Sequence, residues 1–236
     1  GPMGLAAINY VIHRKDIKPG LLVVTDIDNV RLARASTLYP PEEAAKNGIR
    51  LLYLNTGKLD DPQQKLIELT DGKGYDDVFV FAPVPAVIQQ ADAILGQDGC
   101  LNFFAGPSDP TFSAPFNFYD IHYKSTHIVG TSGGNNDDMV EALDYLSFGL
   151  DPAGLITHVG GLNAVIETTL NLPSIPGGKK LIYTHLEMPL TPIAEFAEKG
   201  KTNPVFAKLA EICDKNKGLW SVEAESFLLD NADKLN

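Results

Sequence analysis

Short apolar runs alternate along this chain with segments of helical periodicity, and this alternation is the feature that most limits its fold. Each run ends near a small or acidic residue, as buried parallel strands do. The predicted strands are Leu21–Asp26, Ile49–Leu54, Asp77–Phe81, Gly99–Phe104, Thr126–Gly130 and Lys179–Tyr183. The predicted helices are Leu5–Lys15, Asn29–Ser36, Pro62–Thr70, Pro85–Leu95, Asp137–Phe148 and Leu162–Leu170. Repeated strand–helix units favour an α/β fold with a doubly wound parallel sheet.

The last part of the chain has a different pattern. From about Thr191 onward no strand pattern is present, and three amphipathic helices are predicted at Pro192–Lys199, Asn203–Asn216 and Ser221–Asn231. Asn203 followed by Pro204 is a typical helix start. We therefore expect an α/β domain over residues 1–185 and a helical extension over residues 186–236.

Composition and charge exclude several classes of protein. Lys and Arg total 19 against 30 Asp and Glu, a formal net charge of -11, whereas nucleic acids and anionic membranes attract clustered positive charge. The apolar runs are far shorter than the ~18–20 residues of a membrane span. Cys100 and Cys213 are too few for a disulfide framework or a four-cysteine zinc site. We expect a cytoplasmic protein with neither a nucleic-acid nor a membrane partner.

The chain opens with Gly1, Pro2, Met3 and Gly4, which fit the last four positions of the dinucleotide-binding motif G-x-G-x-x-G. Glycines there let the backbone approach a diphosphate, and the helix N-terminus supplies amides. The alternative is that Gly1 and Pro2 remain from a cleaved tag. No strand precedes this helix, so we expect the first strand of the fold to be missing and its neighbours to have open edges.

Asp26 has the position of the acidic residue that binds the adenosine ribose in such sites. It stands 22 positions after Gly4, at the end of the first predicted strand. A carboxylate there accepts ribose hydroxyls and repels a 2′-phosphate, which favours NAD over NADP. The alternative is that Asp26 or Asp28 only caps the next helix.

Small residues follow the later strands, where a dinucleotide would pass the sheet. They are Ala82, Ala105 and Gly106, together with the loop Gly130–Asn136, which could be an anion site, a nicotinamide contact or a plain loop. The five histidines lack zinc-ligand spacing. The motifs of short-chain dehydrogenases, nucleophile elbows and P-loops are also missing. The sequence thus predicts a cofactor site and identifies no catalytic or metal-binding residue.

A wider set of motifs occurs in one order over residues 1–183. Its segments are Gly1–Gly4, Val23–Asp28, Arg31–Ala35, Tyr75–Val78, Ala91–Gly106, Val129–Gly134, Leu155–Leu162 and Gly177–Ile182. Together they resemble the cofactor domain of zinc-dependent medium-chain alcohol dehydrogenases. Within that family the chain is most similar to sugar and polyol dehydrogenases, particularly the L-sorbose 1-phosphate reductases.

The resemblance implies a role for individual residues around the cofactor. By this resemblance the pyrophosphate lies at Gly1, Pro2, Met3 and Gly4, the adenosine ribose at Asp26 and the adenine beside Arg31. The middle of the cofactor lies near Ala82, and the nicotinamide ribose lies near Ala105 and Gly106. The backbone of Gly130 and Ser132 contacts the carboxamide.

The resemblance also implies an activity. It is hydride transfer between NAD and a secondary alcohol or ketone of a sugar, sugar phosphate or polyol, in a homo-oligomer. The family's zinc ligands lie in an amino-terminal domain that this sequence lacks, so we expect zinc only there and an inactive chain by itself. Two alternatives remain: a methyltransferase that binds S-adenosylmethionine, and a non-catalytic dinucleotide-binding module.

Overall fold

The strands of this chain form three separate sheets. The computed structural model describes residues 1–235 and divides the chain into two compact units. The first unit contains residues 1–22 and 34–51 and the chain from Tyr145 onward; the second contains residues 23–33 and 52–144. The α/β class with parallel pairing is confirmed, and the strands are divided among three sheets.

The strands and helices are close to the predicted ones. The strands are β1 (Leu21–Asp26), β2 (Arg50–Asn55), β3 (Tyr75–Val80), β4 (Leu95–Phe103), β5 (His127–Gly130), β6 (Ile156–Gly161), β7 (Lys179–Tyr183) and β8 (Thr191–Pro192). The helices are α1 (Pro2–His13), α2 (Asn29–Leu38), α3 (Pro41–Lys46), α4 (Pro62–Glu68), α5 (Pro85–Ala93), α6 (Phe118–Tyr123), α7 (Asn136–Leu146), α8 (Val165–Asn171), α9 (Phe196–Lys199), α10 (Pro204–Lys215) and α11 (Val222–Asn231).

The second unit contains the parallel sheet β3-β4-β5. Val80 pairs with Phe103 and Phe103 pairs with Gly130, so the three strands end level with one another. Buried side chains of α5, including Ile88, pack against Val80 and Leu101. The loops after the three strands therefore start from one edge of a rigid sheet.

The edges of β1 and β3 are open, as the sequence analysis expects. Within residues 1–235, β1 pairs only with β2, and β3 pairs only with β4. A central strand of a doubly wound sheet would be hydrogen-bonded to both. Within residues 1–235 the two-stranded and three-stranded sheets are separate.

The first unit contains a strand that the sequence pattern did not reveal. β6 pairs in parallel with β7 and in antiparallel fashion with β8. The run Ile156–Gly161 contains a threonine, a histidine and two glycines, so its periodicity is weak. β7, the last of the six predicted strands, pairs with this additional strand β6. The expectation of no strand after Thr191 was wrong, although β8 is only two residues long.

The three predicted carboxy-terminal helices are confirmed, and they pack onto β6 and β7. Phe196, Leu209 and Leu228 are fully buried in one cluster with Val159 of β6. Trp220 Nε1 donates a hydrogen bond to the Tyr183 hydroxyl at 3.0 Å, and this hydroxyl donates to Glu225 at 2.5 Å. The extension and the last strands therefore share one core. The division of the chain at residue 185 stays a prediction, since this boundary falls inside the first unit.

No helix among residues 1–235 has both the length and the apolar character that a membrane span requires.

Gly161 is a position where only glycine fits. Its amide donates to the Met188 carbonyl at 2.8 Å, and the Leu162 amide donates to the Leu186 carbonyl at 3.0 Å. A Cβ at Gly161 would collide with the Leu186 carbonyl oxygen and would lie 2.6 Å from the Met188 nitrogen. The segment after β7 therefore approaches the end of β6 more closely than any side chain allows.

We expect Gly161→Ala to lower the free energy of unfolding by about 2–4 kcal/mol, because backbone has to move. Urea denaturation would measure it. The control is Gly20→Ala, where a Cβ would meet nothing within 4 Å, and its effect should stay within about 0.5 kcal/mol. Equal stability of the two variants would contradict the argument.

Candidate functional site

Asp26 lies at the carboxyl end of β1 in a bidentate ion pair. Arg31 donates from Nε to Asp26 Oδ2 at 3.0 Å and from Nη2 to Oδ1 at 2.9 Å. The Asp28 amide donates to Asp26 Oδ1 at 3.0 Å. Partial burial alone would raise the pKa of Asp26, but the hydrogen bonds from Arg31 and Asp28 outweigh it and lower the pKa. The carboxylate is therefore ionised at neutral pH.

The capping role belongs to Asp28. Its Oδ1 accepts hydrogen bonds from the amides of Val30 at 2.7 Å and Arg31 at 3.2 Å, at the start of α2. Asp26 caps no helix amide in this arrangement. A carboxylate oxygen has about two acceptor positions. Among the described residues Asp26 Oδ2 accepts a hydrogen bond from Arg31 alone, so it can accept a further donor. Of the two sequence interpretations of Asp26, the helix-cap alternative thus applies to Asp28.

Asn55 is a site residue that the sequence analysis missed. It ends β2, and its Nδ2 donates to the Ile27 carbonyl at 3.1 Å and to Asn29 Oδ1 at 2.7 Å. Its Oδ1 accepts from the Gly57 amide at 2.9 Å. The side chain thereby fixes the turn after β1. The signal was available, since an Asn at a strand end before Thr-Gly is a turn-forming residue.

Two exposed apolar side chains lie close to this turn, Ile27 within it and Val30 at the start of α2. Ile27 is 72% exposed and Val30 is 79% exposed. A Cβ at Gly57 would lie 3.3 Å from the Ile27 Cβ, so the Ile27 side chain packs against the backbone of Gly57. The end of β1 therefore combines an ionised carboxylate with two exposed apolar side chains.

Ala82, Ala105 and Gly106 lie beyond the level ends of β3 and β4. The Val80 carbonyl accepts from the amides of Phe104 at 3.0 Å and Ala105 at 3.1 Å, which holds Ala105 beside the end of β3. The Ala82 carbonyl accepts from the Val84 amide at 2.9 Å in a tight turn. Gly106 is exposed, and a Cβ there would meet nothing within 4 Å. The structure thus brings these three residues to one edge of the second unit.

Gly130 is the last residue of β5, and Ser132 follows it at the same edge. The Thr131 amide donates to the Phe103 carbonyl at 3.3 Å and its hydroxyl to Asn102 at 2.8 Å, so the loop begins in a fixed direction. Farther along, the Asn135 amide donates to Asp138 Oδ2 at 2.6 Å, and the Asp137 amide donates to Asn135 Oδ1 at 2.7 Å. These amides are already engaged in a reciprocal cap of α7. The arrangement therefore disfavours the anion-site interpretation of this loop.

Gly1–Gly4 form the start of α1, in the first unit. The Gly1 carbonyl accepts from the Leu5 amide at 3.2 Å, and Pro2 occupies the first helical position. Pro2 also lines a cavity of about 500 Å³, together with Val165, Thr168, Thr169, Leu172, Ile175, Gly177, Gly178, Lys179, Lys180 and Ile182. The predicted diphosphate segment therefore opens onto a cavity with two lysines. Asp26 belongs to the other unit.

Among residues 1–235, no three His, Cys, Asp or Glu side chains are grouped so that they could hold a metal ion.

The model of a known family matches this chain over more than half of its length. The family is described as zinc-binding dehydrogenase, and the match covers residues 3–147. The chain belongs to the zinc-binding dehydrogenase family. This confirms the resemblance on which the sequence analysis relied.

Curated relatives of this zinc-binding dehydrogenase chain include two enzymes named for sugar phosphates. Mannitol-1-phosphate 5-dehydrogenase of Aliivibrio fischeri is 53% identical over 231 residues, which cover 98% of this chain and 54% of the relative. L-sorbose 1-phosphate reductase of Klebsiella pneumoniae is 46% identical over 236 residues, covering 100% of this chain and 54% of the relative. The chain thus spans about half the length of these relatives.

Solved structures of alcohol dehydrogenases share the fold. Benzyl alcohol dehydrogenase of Acinetobacter calcoaceticus matches with a TM-score of 0.56 and 19% identity, over 74% of this chain and 46% of that one. An alcohol dehydrogenase of Escherichia coli in complex with NADH matches with a TM-score of 0.54 and 18% identity, over 77% of this chain and 49% of that one. At these identities the likeness concerns the fold, and it confirms the Rossmann-like class.

We expect Arg31→Ala to raise the pKa of Asp26. The substitution removes two of the three hydrogen bonds that favour the carboxylate and leaves the burial that opposes it. Carboxyl NMR titration would measure the shift. Arg34→Ala, one turn along α2, is the control and should leave the pKa of Asp26 unchanged. An unchanged value in Arg31→Ala would show that the ion pair does not form.

Proposed function

We propose that this chain forms the NAD-binding part of a dehydrogenase that acts on a sugar phosphate or a related polyol. The reaction would be hydride transfer between the nicotinamide and a secondary alcohol or ketone. The observation that carries the proposal is the ionised Asp26 at the end of β1, with an acceptor position left on Oδ2 and with helix capping assigned to Asp28. Membership of the zinc-binding dehydrogenase family supports it.

The surroundings of Asp26 favour NAD over NADP. NADP sites use an arginine near this position to bind the 2′-phosphate. Here the Arg31 guanidinium is paired with Asp26 at 2.9 Å and lies 3.8 Å from Asp28. A 2′-phosphate would meet two carboxylates before it met a free cation. The ribose hydroxyls of NAD need only the acceptor that Asp26 retains, and Ile27 and Val30 offer apolar contact to adenine.

We propose the remaining cofactor contacts for residues at the carboxyl ends of β3, β4 and β5, and for the start of α1. We assign the nicotinamide ribose to Ala105 and Gly106, the middle of the cofactor to Ala82, and the carboxamide to Gly130 and Ser132. The side chains at these positions are small, which supports the assignment because a cofactor can come close to the backbone there. Gly1–Gly4 are assigned to the diphosphate, since a cavity with two cationic side chains adjoins Pro2.

The chain's own contribution to the reaction is binding and orientation. The nicotinamide, when bound, accepts or donates the hydride. We expect this chain by itself to bind cofactor without turnover, because the resemblance implies that the family's zinc ligands lie in an amino-terminal domain. The two sugar-phosphate relatives support a phosphorylated sugar or polyol as the substrate of the whole protein. Family membership favours this function over a methyltransferase.

We expect NADH to bind more tightly than NADPH, and Asp26→Ala to narrow the difference. Bringing the 2′-phosphate of NADPH against the Asp26 carboxylate costs about 1–3 kcal/mol, which is several-fold to a hundredfold in affinity. Fluorescence titration with both cofactors would measure the ratio. The control is Asp28→Asn, which keeps the helix cap and should preserve most of the preference. Equal affinity of the unsubstituted chain for the two cofactors would refute the assignment of Asp26, and binding of neither would refute the proposed function.

We also propose a homodimer formed through β5. This strand is the outer strand of its sheet, and Ile128 and Val129 are 39% and 43% exposed. Within residues 1–235 no strand pairs with its outer edge. A second copy related by a twofold axis would satisfy these backbone groups and cover both side chains.

We expect the chain to sediment as a dimer and Val129→Lys to convert it to a monomer, as measured by analytical ultracentrifugation. Val222→Lys, at an 84% exposed position of α11, is the matched control and should remain dimeric. A monomeric unsubstituted chain would contradict the proposal.

A further inference from the structure

The carboxy-terminal part of the chain contains a cavity of about 370 Å³, in addition to the one beside Pro2. Three segments form it: the residues after β7, the start of α10, and the end of α11 with the residues that follow it. All three belong to the first unit and lie beyond residue 147, where the match to the family model ends. The family model therefore does not cover this cavity.

Much of the lining of this cavity is apolar. Apolar side chains from all three segments line it, among them Met188, Pro189, Val205, Phe206 and Leu228. Three of these side chains belong to the hydrophobic core of the first unit, so the cavity opens directly above packed residues. Its volume lies within the roughly 300–1,000 Å³ of small-molecule pockets. The cavity can therefore hold a small molecule with an apolar body.

Two carboxylate residues, Glu187 and Asp233, also line the cavity and stand opposite each other. Leu186 and Lys234 form an antiparallel bridge. One position farther along, the Glu187 amide donates to the Asp233 carbonyl at 2.9 Å. In this register Glu187 and Asp233 are a directly opposed pair, and the side chains of such a pair lie on the same face. Backbone pairing thus holds two acidic side chains side by side.

Like charges that are directly opposed on paired segments destabilise the pairing. Within residues 1–235 no hydrogen bond or ion pair engages the side chain of Glu187 or Asp233. Lys201, which precedes the cavity residue Thr202, is already paired with Glu198. The described part of the chain therefore supplies no cation that offsets the repulsion, and a cation from outside would.

We propose that this cavity binds a small organic ammonium ion, whose apolar chain lies against the lining and whose charged end lies between Glu187 and Asp233. An ammonium group has three N–H donors, so it can donate to both carboxylates at once. The net charge of -11 also attracts cations to the chain. A metal ion suits the cavity less, since no three metal-ligating side chains are grouped among residues 1–235. This inference goes beyond the proposed function and does not depend on it.

The test uses n-pentylammonium chloride as the probe and 1-pentanol, its uncharged counterpart of similar length, as the control ligand. Titration of the full chain is followed by the amide NMR shifts of residues 187–188, 203–206 and 228–233. The variants are Glu187→Gln, Asp233→Asn and the double substitution. The matched control is Glu223→Gln, which removes an exposed carboxylate of α11 that does not line the cavity. NADH affinity is measured separately for every variant.

The unsubstituted chain should bind pentylammonium roughly twentyfold more tightly than 1-pentanol, with shifts confined to the cavity segments. Each single substitution should weaken pentylammonium binding by roughly fivefold, which is at the upper end for an exposed ion pair. The double substitution should reduce it to about the affinity of 1-pentanol. Glu223→Gln should leave pentylammonium binding unchanged, and NADH affinity should be the same in every variant.

Four results would overturn the proposal. They are the absence of saturable pentylammonium binding, equal affinity for pentylammonium and 1-pentanol, unchanged pentylammonium affinity in the double variant, and displacement of the probe by an equimolar amount of calcium chloride. The second would leave an apolar cavity without charge selection, and the last would make the two carboxylates a metal site.

The NADH measurement separates this inference from the proposed function. If the chain binds pentylammonium as expected but binds neither NADH nor NADPH, the proposed function fails and this inference stands. If it binds NADH but not pentylammonium, this inference fails and the proposed function stands.

Discussion

Hydrogen bonding between parallel strands is the constraint on which the arrangement of this chain depends. Every strand must pair its amides and carbonyls with a neighbour, and the neighbours available determine which strands form a sheet. β3, β4 and β5 pair in register and end level, so the loops after them start from one edge. β1 pairs with β2 in a sheet of its own. The small residues Ala82, Ala105 and Gly106 owe their positions to this register.

Hydrogen bonds and ion pairs within the chain determine which ionisable side chains can still bind a ligand. Asp28 satisfies the amides at the start of α2, which leaves Asp26 for Arg31 and for one further donor. The same logic separates the two lysines of β7, since Lys180 is saturated by carbonyls and Lys179 is not. In both pairs one member maintains local structure and its neighbour keeps free hydrogen-bonding capacity. Residues of the same type that stand close together in the sequence therefore differ in which hydrogen bonds they make.

The carboxy-terminal helices illustrate how an extension becomes part of a core. Phe196, Leu209 and Leu228 bury their side chains against Val159 of β6, and Tyr183 joins β7 to α11 through Glu225. Burial of this many apolar side chains at roughly 25 cal/mol per Å² contributes strongly to stability. The helices are therefore structural partners of β6 and β7, and their amphipathic sequence already indicated that they must pack on something.

The sequence by itself determined the strands with strong apolar runs, every long helix and the place of Asp26, because periodicity and spacing are local properties of the chain. It also contained the ordered motifs that identified the family. It missed β6, since Gly160 and Gly161 interrupt the apolar pattern and the strand is recognised only through its partners. It could not show which of Asp26 and Asp28 caps α2, nor which of Lys179 and Lys180 is hydrogen-bonded to backbone carbonyls. Only the tertiary structure decided these pairs, because the hydrogen-bond partner of a side chain depends on which backbone groups the fold brings within about 3 Å.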